Sequence, residues 1–562
     1  MTLGGGAMTN SIPEIGSESD CIFIIGSNTA ECHPLIARQV IRAKERGAKI
    51  IVADPRRTEM ANKADLWLRV PPGYNIPLIN GMINIILEEK LQANNFIEKH
   101  TEGFTEMAKA AAEWSPARVE EVTGIPAADL RRAARLYSGG KAAAILYCMG
   151  VTQFSFGVGT VASLSNLAVI TGNLGRPGTG VDPLRGQNNV QGACDMGCLP
   201  NVFPGYLNVA DAENRAHFEK EWEVELPAAV GLKIPQVPDA ILEGNVRAFY
   251  IFGENPVLSD PDSDHFLKAM EKLEFLVVQD IFLTETARLA DVVFPAACWG
   301  EKDGTFNSTE RRVQLVRRAV DPPGDAKEDW WVFKELAGRM GYYGIDYLHP
   351  QEIWEEVRRL VPEKFGGIGY HRLNKQRGIH WPCPAEDHPG TPILYQGGKF
   401  TTPSGKAQLC QVLFEPKQVS KELLSAFPNA ITGNIKELPD QDYPFTLTTG
   451  RRAYHYHTGT MTRRSDALNT VGPRQLVEVN PEDAQRLQVR DGDYLKITGR
   501  RGYIAAQTWV TGRVPEKTVF TTFHFWEANI NELTNGATDP LAGIPEYKVC
   551  AVKLEKITAQ DA

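Results

Sequence analysis

Cys21-Ile22-Phe23-Ile24-Ile25-Gly26-Ser27-Asn28 is the stretch that decides the fold. Five apolar residues are too few for a helix and a Gly stops them, so the run reads as a strand buried on both faces of a parallel sheet. The same pattern returns at Phe249-Tyr250-Ile251-Phe252-Gly253-Glu254-Asn255-Pro256. Each copy leads to a second apolar run ending in an acid, Ile50 to Asp54 and Leu276 to Asp280, and then to an Ala-Asp pair, Ala64-Asp65 and Ala290-Asp291. Gly to strand-end Asp is 28 residues in the first copy and 27 in the second, and the two acids stand 11 apart in both. One such unit is common, whereas a matched pair points to two bound nucleotides.

The Gly lets the chain turn into a helix whose free N–H groups and dipole stabilise a diphosphate. His33-Pro34 suits such a start, because Pro is tolerated at the first helical position. The acid at the end of the next strand can accept hydrogen bonds from ribose hydroxyls or guanine N–H groups. Neither copy contains G-x-G-x-x-G, which argues against a nicotinamide nucleotide. Taken singly, each unit is also compatible with an ordinary βα element that binds nothing.

At 562 residues, 43% apolar and 23% charged, the chain has length for three or four globular domains. A net charge of −9 disfavours nucleic acid as a partner, so anionic ligands have to be met by local cations. No run approaches 18 apolar residues, so no membrane span is expected, and the first ten residues do not read as a signal peptide. The nine cysteines are scattered without C-x-x-C pairs, a pattern of reduced thiols that places the protein in the cytoplasm.

Helical spacing marks Asn75 to Leu91, Ala127–Tyr137 and Val161–Ile170, around a strand at Ala142–Cys148. Residues 201–240 read as an irregular insertion, Asp329–Met340 and Gln351–Leu360 as helices, and 362–403 as a surface connection rich in Gly, Pro and His. From Tyr443 the pattern becomes short alternating runs, such as Gln475-Leu-Val-Glu-Val and Ile504-Ala-Ala-Gln-Thr-Trp-Val, which predict a β-barrel of about 120 residues.

Between the two units lies Arg185-Gly186-Gln187-Asn188-Asn189-Val190-Gln191-Gly192-Ala193-Cys194-Asp195-Met196-Gly197. One Arg followed by four side-chain amides among glycines suits a polar pocket wall with close backbone approach. This run, with Cys148-Met149-Gly150-Val151-Thr152-Gln153 before it and Thr449-Gly450-Arg451 near the end, resembles the catalytic subunit of molybdenum- or tungsten-dependent formate dehydrogenases. The likeness covers nearly the whole chain, and the Gly-x-Asn units are shared by the wider molybdopterin oxidoreductase family.

The resemblance implies an α/β fold class, with two Rossmann-like doubly wound domains related by an internal repeat and a C-terminal β-barrel of double-psi type. The expected divisions are 1–187, 188–300 (incomplete at its N-terminal side), a mixed connecting region 301–430, and the barrel at 431–562. It also implies two molybdopterin guanine dinucleotides on one Mo or W ion. Gly26, Ser27, Asn28, Asp54, Arg56 and Asn75 would hold one; Met149, Gln153 and Gly186 would also bind cofactor, and Gln187 would support the pterin or the metal's sulfur ligand. Gly253, Glu254, Asn255, Gln279 and Asp280 would hold the other. Arg451, His455, His457, Asn531, Tyr547 and Lys548 in the barrel would contact pterin and phosphate ends, since two diphosphates need cations. The alternatives are a solvated surface for Arg451, Arg452, Arg463 and Arg464, and a metal pair for His455 and His457. Arg185 is the expected catalytic residue: its planar two-donor fork fits the formate carboxylate and stays charged when desolvated. Cys194 and Cys198 read as buried small hydrophobes, so this chain supplies no metal ligand.

The resemblance further implies a 4Fe-4S cluster and a Cys or selenocysteine metal ligand in a segment upstream of Met1. The chain is therefore expected to be the downstream part of a catalytic subunit, weak alone, with a naturally split enzyme as the rival. Its partners would be formate, the upstream part, and iron–sulfur or flavoprotein electron-transfer subunits. An assimilatory nitrate reductase would share the units and barrel without the Arg185 run, and a non-catalytic structural subunit would have degraded cofactor loops.

Overall fold

The computed structural model describes residues 2–560 and divides into two compact units, Met1–Leu184 with Leu258–Phe266 and Ile393–Ala562, and Arg185–Val257 with Leu267–Pro392.

In the first unit, five parallel strands lie in the order Leu66–Leu68, Lys49–Ala53, Cys21–Ile25, Ala143–Tyr147, Gly180–Pro183. The order in which strands are added switches sides at Cys21–Ile25, and this opens a crevice at the strands' carboxyl ends, the place where such sheets bind ligands. Cys21 to Ile25 are each at most 1% exposed, which explains the unbroken apolar run: both faces of the strand are covered. Of the covering helices, Asn75–Glu88, Ala127–Ser138 and Gly157–Ile170 match the helical spacing in the sequence, and Pro34–Glu45 begins at the His33-Pro34 start.

The same unit contains a closed six-stranded barrel, ordered Phe445–Gly450, Thr518–Thr522, Leu476–Val479, Tyr503–Val510, Tyr494–Thr498, Cys550–Ile557. Its inward residues, among them Leu447, Val477, Leu495, Ile497 and Val519, are all fully buried. Alternation along Tyr494–Thr498 and Tyr503–Val510 follows from having one face in this core and one outside it.

The second unit repeats the first at reduced size. Its parallel sheet runs Val292–Pro295, Phe275–Asp280, Ala248–Phe252. The correspondence extends to individual hydrogen bonds. Gly26 N–H donates to Ala53 O at 3.1 Å, and Gly253 N–H to Gln279 O at 2.8 Å. The Asp65 carboxylate accepts from Ile50 N–H at 2.9 Å, and Asp291 from Leu276 N–H at 2.7 Å. The second acid of each signature therefore holds the start of that signature's second strand.

The 201–240 stretch is not irregular throughout: it contains the helix Ala212–Trp222, begun by the Asp211 carboxylate accepting from the Glu213 and Asn214 N–H groups. The 362–403 stretch is no mere surface connection, because Phe365, Ile368, Tyr370, Leu373, Trp381 and Cys383 are buried around two short helices. Frequent Gly and Pro there mark tight turns within a packed region.

Candidate cofactor-binding site

A cleft enclosing about 990 Å³ of empty space, open mouth included, lies within the first unit where the parallel sheet meets the barrel. Its floor is the turn after Cys21–Ile25. Gly26 adopts φ +55° there, and its carbonyl accepts from Gly150 N–H at 3.0 Å, so two backbones touch where any side chain would separate them. Ser27 and Asn28 follow in the turn; the Ser27 hydroxyl pairs with Thr29 Oγ1 at 2.9 Å. Asp54 stands at the end of Lys49–Ala53 and accepts from Arg56 N–H at 2.9 Å. Asn75 opens its helix and donates to Gly150 O at 2.9 Å, fixing the turn that carries Met149 and Gln153 into the cleft.

From the barrel come Arg451, His457 and Lys548. Lys548 is buried and donates to Thr449 O at 2.8 Å. Burial, with the Arg451 charge nearby, pushes its ammonium down to about 8. The same causes press His457 down to about 4, so its imidazole is neutral at pH 7 and the cleft's positive charge rests on Arg451 and Lys548. Burial raises Asp54 to about 6 and the Cys32 thiol to about 11.

These groups fit a phosphate-linked pterin nucleotide. Both carboxamide atoms of Asn28 are buried at the cleft without a hydrogen-bond partner, and they match the donor and acceptor edge of a heterocycle or ribose. Buried Lys548 and half-buried Arg451, across from the Asp54 carboxylate, suit a diphosphate with a sugar or base beyond it. Because the anion favours protonated Lys548, GDP affinity of the chain is expected to fall as pH rises through about 8, by up to about tenfold per unit. Lys548→Met would remove that dependence. A flat titration between pH 7 and 9.5 in the unsubstituted chain would refute the assignment.

Other expected residues are engaged within the fold. Arg56 reaches the cleft wall, but its Nε and Nη2 donate to the Glu478 carboxylate at 3.0 and 2.7 Å, with the guanidinium 3.3 Å from the Phe520 ring centroid. It clasps sheet to barrel rather than presenting a fork to a ligand. His455 is turned away: Nε2 donates to Gly472 O at 2.6 Å and Nδ1 faces Thr462 Oγ1 at 3.3 Å, which leaves no metal pair with His457. Among the described residues no group of three metal-ligating side chains occurs. Asn531 and Tyr547 donate to the carbonyls of Leu258 and Ser259 at 2.7 and 2.9 Å and secure that segment to the barrel. Arg463 is half-buried over the Phe525 ring and pairs with Glu527, whereas Arg464 is exposed, so the solvated alternative describes Arg464 and not Arg463.

In the second unit, Gly253 turns with φ +66°, Glu254 is exposed and Asp280 accepts from Phe282 N–H at 3.2 Å, as Asp54 does from Arg56. Asn255 and Gln279 are engaged within the fold. Asn255 donates to Glu285 at 2.8 Å and accepts from the Thr286 hydroxyl at 2.7 Å; Gln279 bonds Tyr250 and donates to Asp329 at 2.7 Å. Arg185, Gly186 and Gln187 open this unit, half-buried. Arg185 N–H donates to Thr309 Oγ1 at 3.1 Å, and its Nη1 to Cys194 Sγ at 3.3 Å. The reading of both motif cysteines as buried is corrected: Cys194 is half-buried and Cys198 exposed, and all nine thiols are free.

Residues 4–339 match the molybdopterin oxidoreductase model and 445–551 the molybdopterin dinucleotide binding domain, so the chain belongs to the molybdopterin oxidoreductase family. Among its relatives, it is 51% identical to the F420-dependent formate dehydrogenase subunit alpha of Methanocaldococcus jannaschii, over 99% of this chain and 79% of that protein. It is 42% identical to formate dehydrogenase H of Escherichia coli, over 100% of this chain and 76% of that one. In fold it is similar to acetylene hydratase from Pelobacter acetylenicus, with a TM-score of 0.78 at 21% identity, over 99% of this chain and 80% of that one. No helix among the described residues is long and apolar enough to cross a membrane.

Proposed function

We propose that this chain oxidises formate to carbon dioxide, releasing one proton and two electrons, at a Mo or W ion held by two molybdopterin guanine dinucleotides. The observation that carries the proposal is the doubled unit: the same Gly turn and strand-end acid occur in both sheets, while relatives across this whole length are named formate dehydrogenases. Gly26, Asn28, Asp54, Arg451 and Lys548 hold one dinucleotide; Gly253, Glu254 and Asp280 hold the other. The metal centre, when bound, accepts the electrons. Arg185 binds the carboxylate through parallel N–H donors, which fixes the C–H bond in one direction and neutralises the anion's charge in a desolvated site. Gln187 supports the pterin side of that site. A flavoprotein or iron–sulfur subunit takes the electrons onward, in line with the F420-dependence named for two methanogen relatives.

Acid release from the assembled enzyme is expected to yield two GMP per chain, and formate to reduce an artificial dye acceptor. Release of one GMP or none would reject the two-nucleotide reading. Full pterin content with no formate-dependent reduction would reject the substrate.

A further inference from the structure

The Arg185 motif ends in a carboxylate that no step above uses. Asp195, the last residue of the helix Val190–Asp195, is 0% exposed. Its Oδ1 accepts from Gln191 Nε2 at 2.7 Å and from the Tyr206 hydroxyl at 2.9 Å. Its Oδ2 accepts from Trp381 Nε1 at 2.8 Å and from Asn307 Nδ2. The four donors come from four separate segments. Asn307 also donates its backbone N–H to Asn189 Oδ1 at 2.9 Å, so the strand Gly304–Asn307 grips the helix at both ends. Two residues past that strand, Thr309 takes the Arg185 N–H.

Burying a carboxylate costs several kcal/mol that its partners only partly return, and an apolar residue would pack here at lower cost. What the carboxylate supplies is one fixed geometry for the helix. The residue next to it, Cys194, accepts from Arg185 Nη1 at 3.3 Å. A thiol is a weak, uncharged acceptor. It can orient a guanidinium without neutralising it, whereas an Asp or Glu at this place would consume the charge an anionic substrate needs.

We propose that Asp195 and Cys194 are positioning residues for Arg185: Asp195 pins the helix, and the Cys194 thiol sets the orientation of the fork without itself placing a negative charge beside it. This rests on Arg185 being the formate-binding group. The role of the motif's amides follows from it, since Asn189 and Gln191 lock the helix rather than line a pocket.

The test uses Asp195→Asn, Cys194→Ser, Cys194→Val, Cys194→Asp and Arg185→Lys, with formate KM and kcat measured on the assembled enzyme. Iodoacetamide alkylation of Cys194 is followed in the full chain by peptide mass spectrometry. Asp195→Asn and Cys194→Val are expected to raise KM by about tenfold with kcat and pterin content little changed; Cys194→Ser stays near normal, and Cys194→Asp raises KM by about a hundredfold. Asp195→Asn should also speed Cys194 alkylation by about fivefold or more, as the helix loosens. If Asp195→Asn does not fold, Trp381→Phe removes one donor of the four and should give the same changes at smaller size. Unchanged KM in folded Asp195→Asn and Cys194→Val, with KM raised by Arg185→Lys, overturns this proposal alone. Unchanged KM in Arg185→Lys overturns the Arg185 reading and this proposal together.

Discussion

Glu478→Ala is expected to destabilise the protein by about 3–5 kcal/mol, the range for removing one partner of a buried ion pair. Glu478 is 0% exposed, and its two oxygens receive both forks of Arg56, 422 residues away in sequence. With the carboxylate gone, Arg56 stays trapped against the Phe520 ring as an uncompensated charge. Arg513, 3.9 Å from the same carboxylate, then adds repulsion. Glu478→Gln keeps the shape and loses the charge, so it should fall between. Urea unfolding monitors the outcome: a loss under about 1 kcal/mol in Glu478→Ala would show that the clasp contributes little to holding sheet and barrel together.

Gly26→Ala is expected to cost at least about 3 kcal/mol and to abolish GDP binding in the cleft. The φ of +55° alone strains any side chain, and an added Cβ would stand 2.5 Å from the Gly150 carbonyl carbon. The two turns that form the floor would have to part, breaking the Gly150 N–H bond to Gly26 O. Gly253→Ala is the matched control, since its φ is +66° but its Cβ would meet nothing within 4 Å. It should therefore lose only the backbone contribution, about 1–3 kcal/mol. Equal losses at the two positions would mean that the Gly26–Gly150 contact does not matter.

The parts of the fold that the residue order makes legible are those whose cause is local. Unbroken apolar runs such as Cys21–Ile25 betray a strand covered on both faces, and alternation in Tyr503–Val510 betrays one covered on a single face. Gly26 and Asp54 could be placed at the cleft because repeat and resemblance agree on them, and Arg451 and Lys548 because the resemblance marks them. Arg56 and His455 could not be given their partners, although Arg56 does line the cleft. What an Arg or His does depends on which distant residue meets it, here Glu478 and Gly472, and no spacing rule encodes that partner. Gln279 looks equally exposed to a ligand until Tyr250 and Asp329 are seen to take its amide. The 362–403 stretch misleads for a different reason: its apolar residues are spaced by turns, so they lack any period although they are buried.

The paired carboxylates Asp65 and Asp291 separate two kinds of inheritance. Each closes a short loop onto the second strand of its own signature, so part of the scaffold of either half is written in a carboxylate committed to backbone. Selection is then free to retune one half's recognition groups, as the contrast between an orphaned Asn28 and a fully engaged Asn255 illustrates, without unpicking the frame that both halves share.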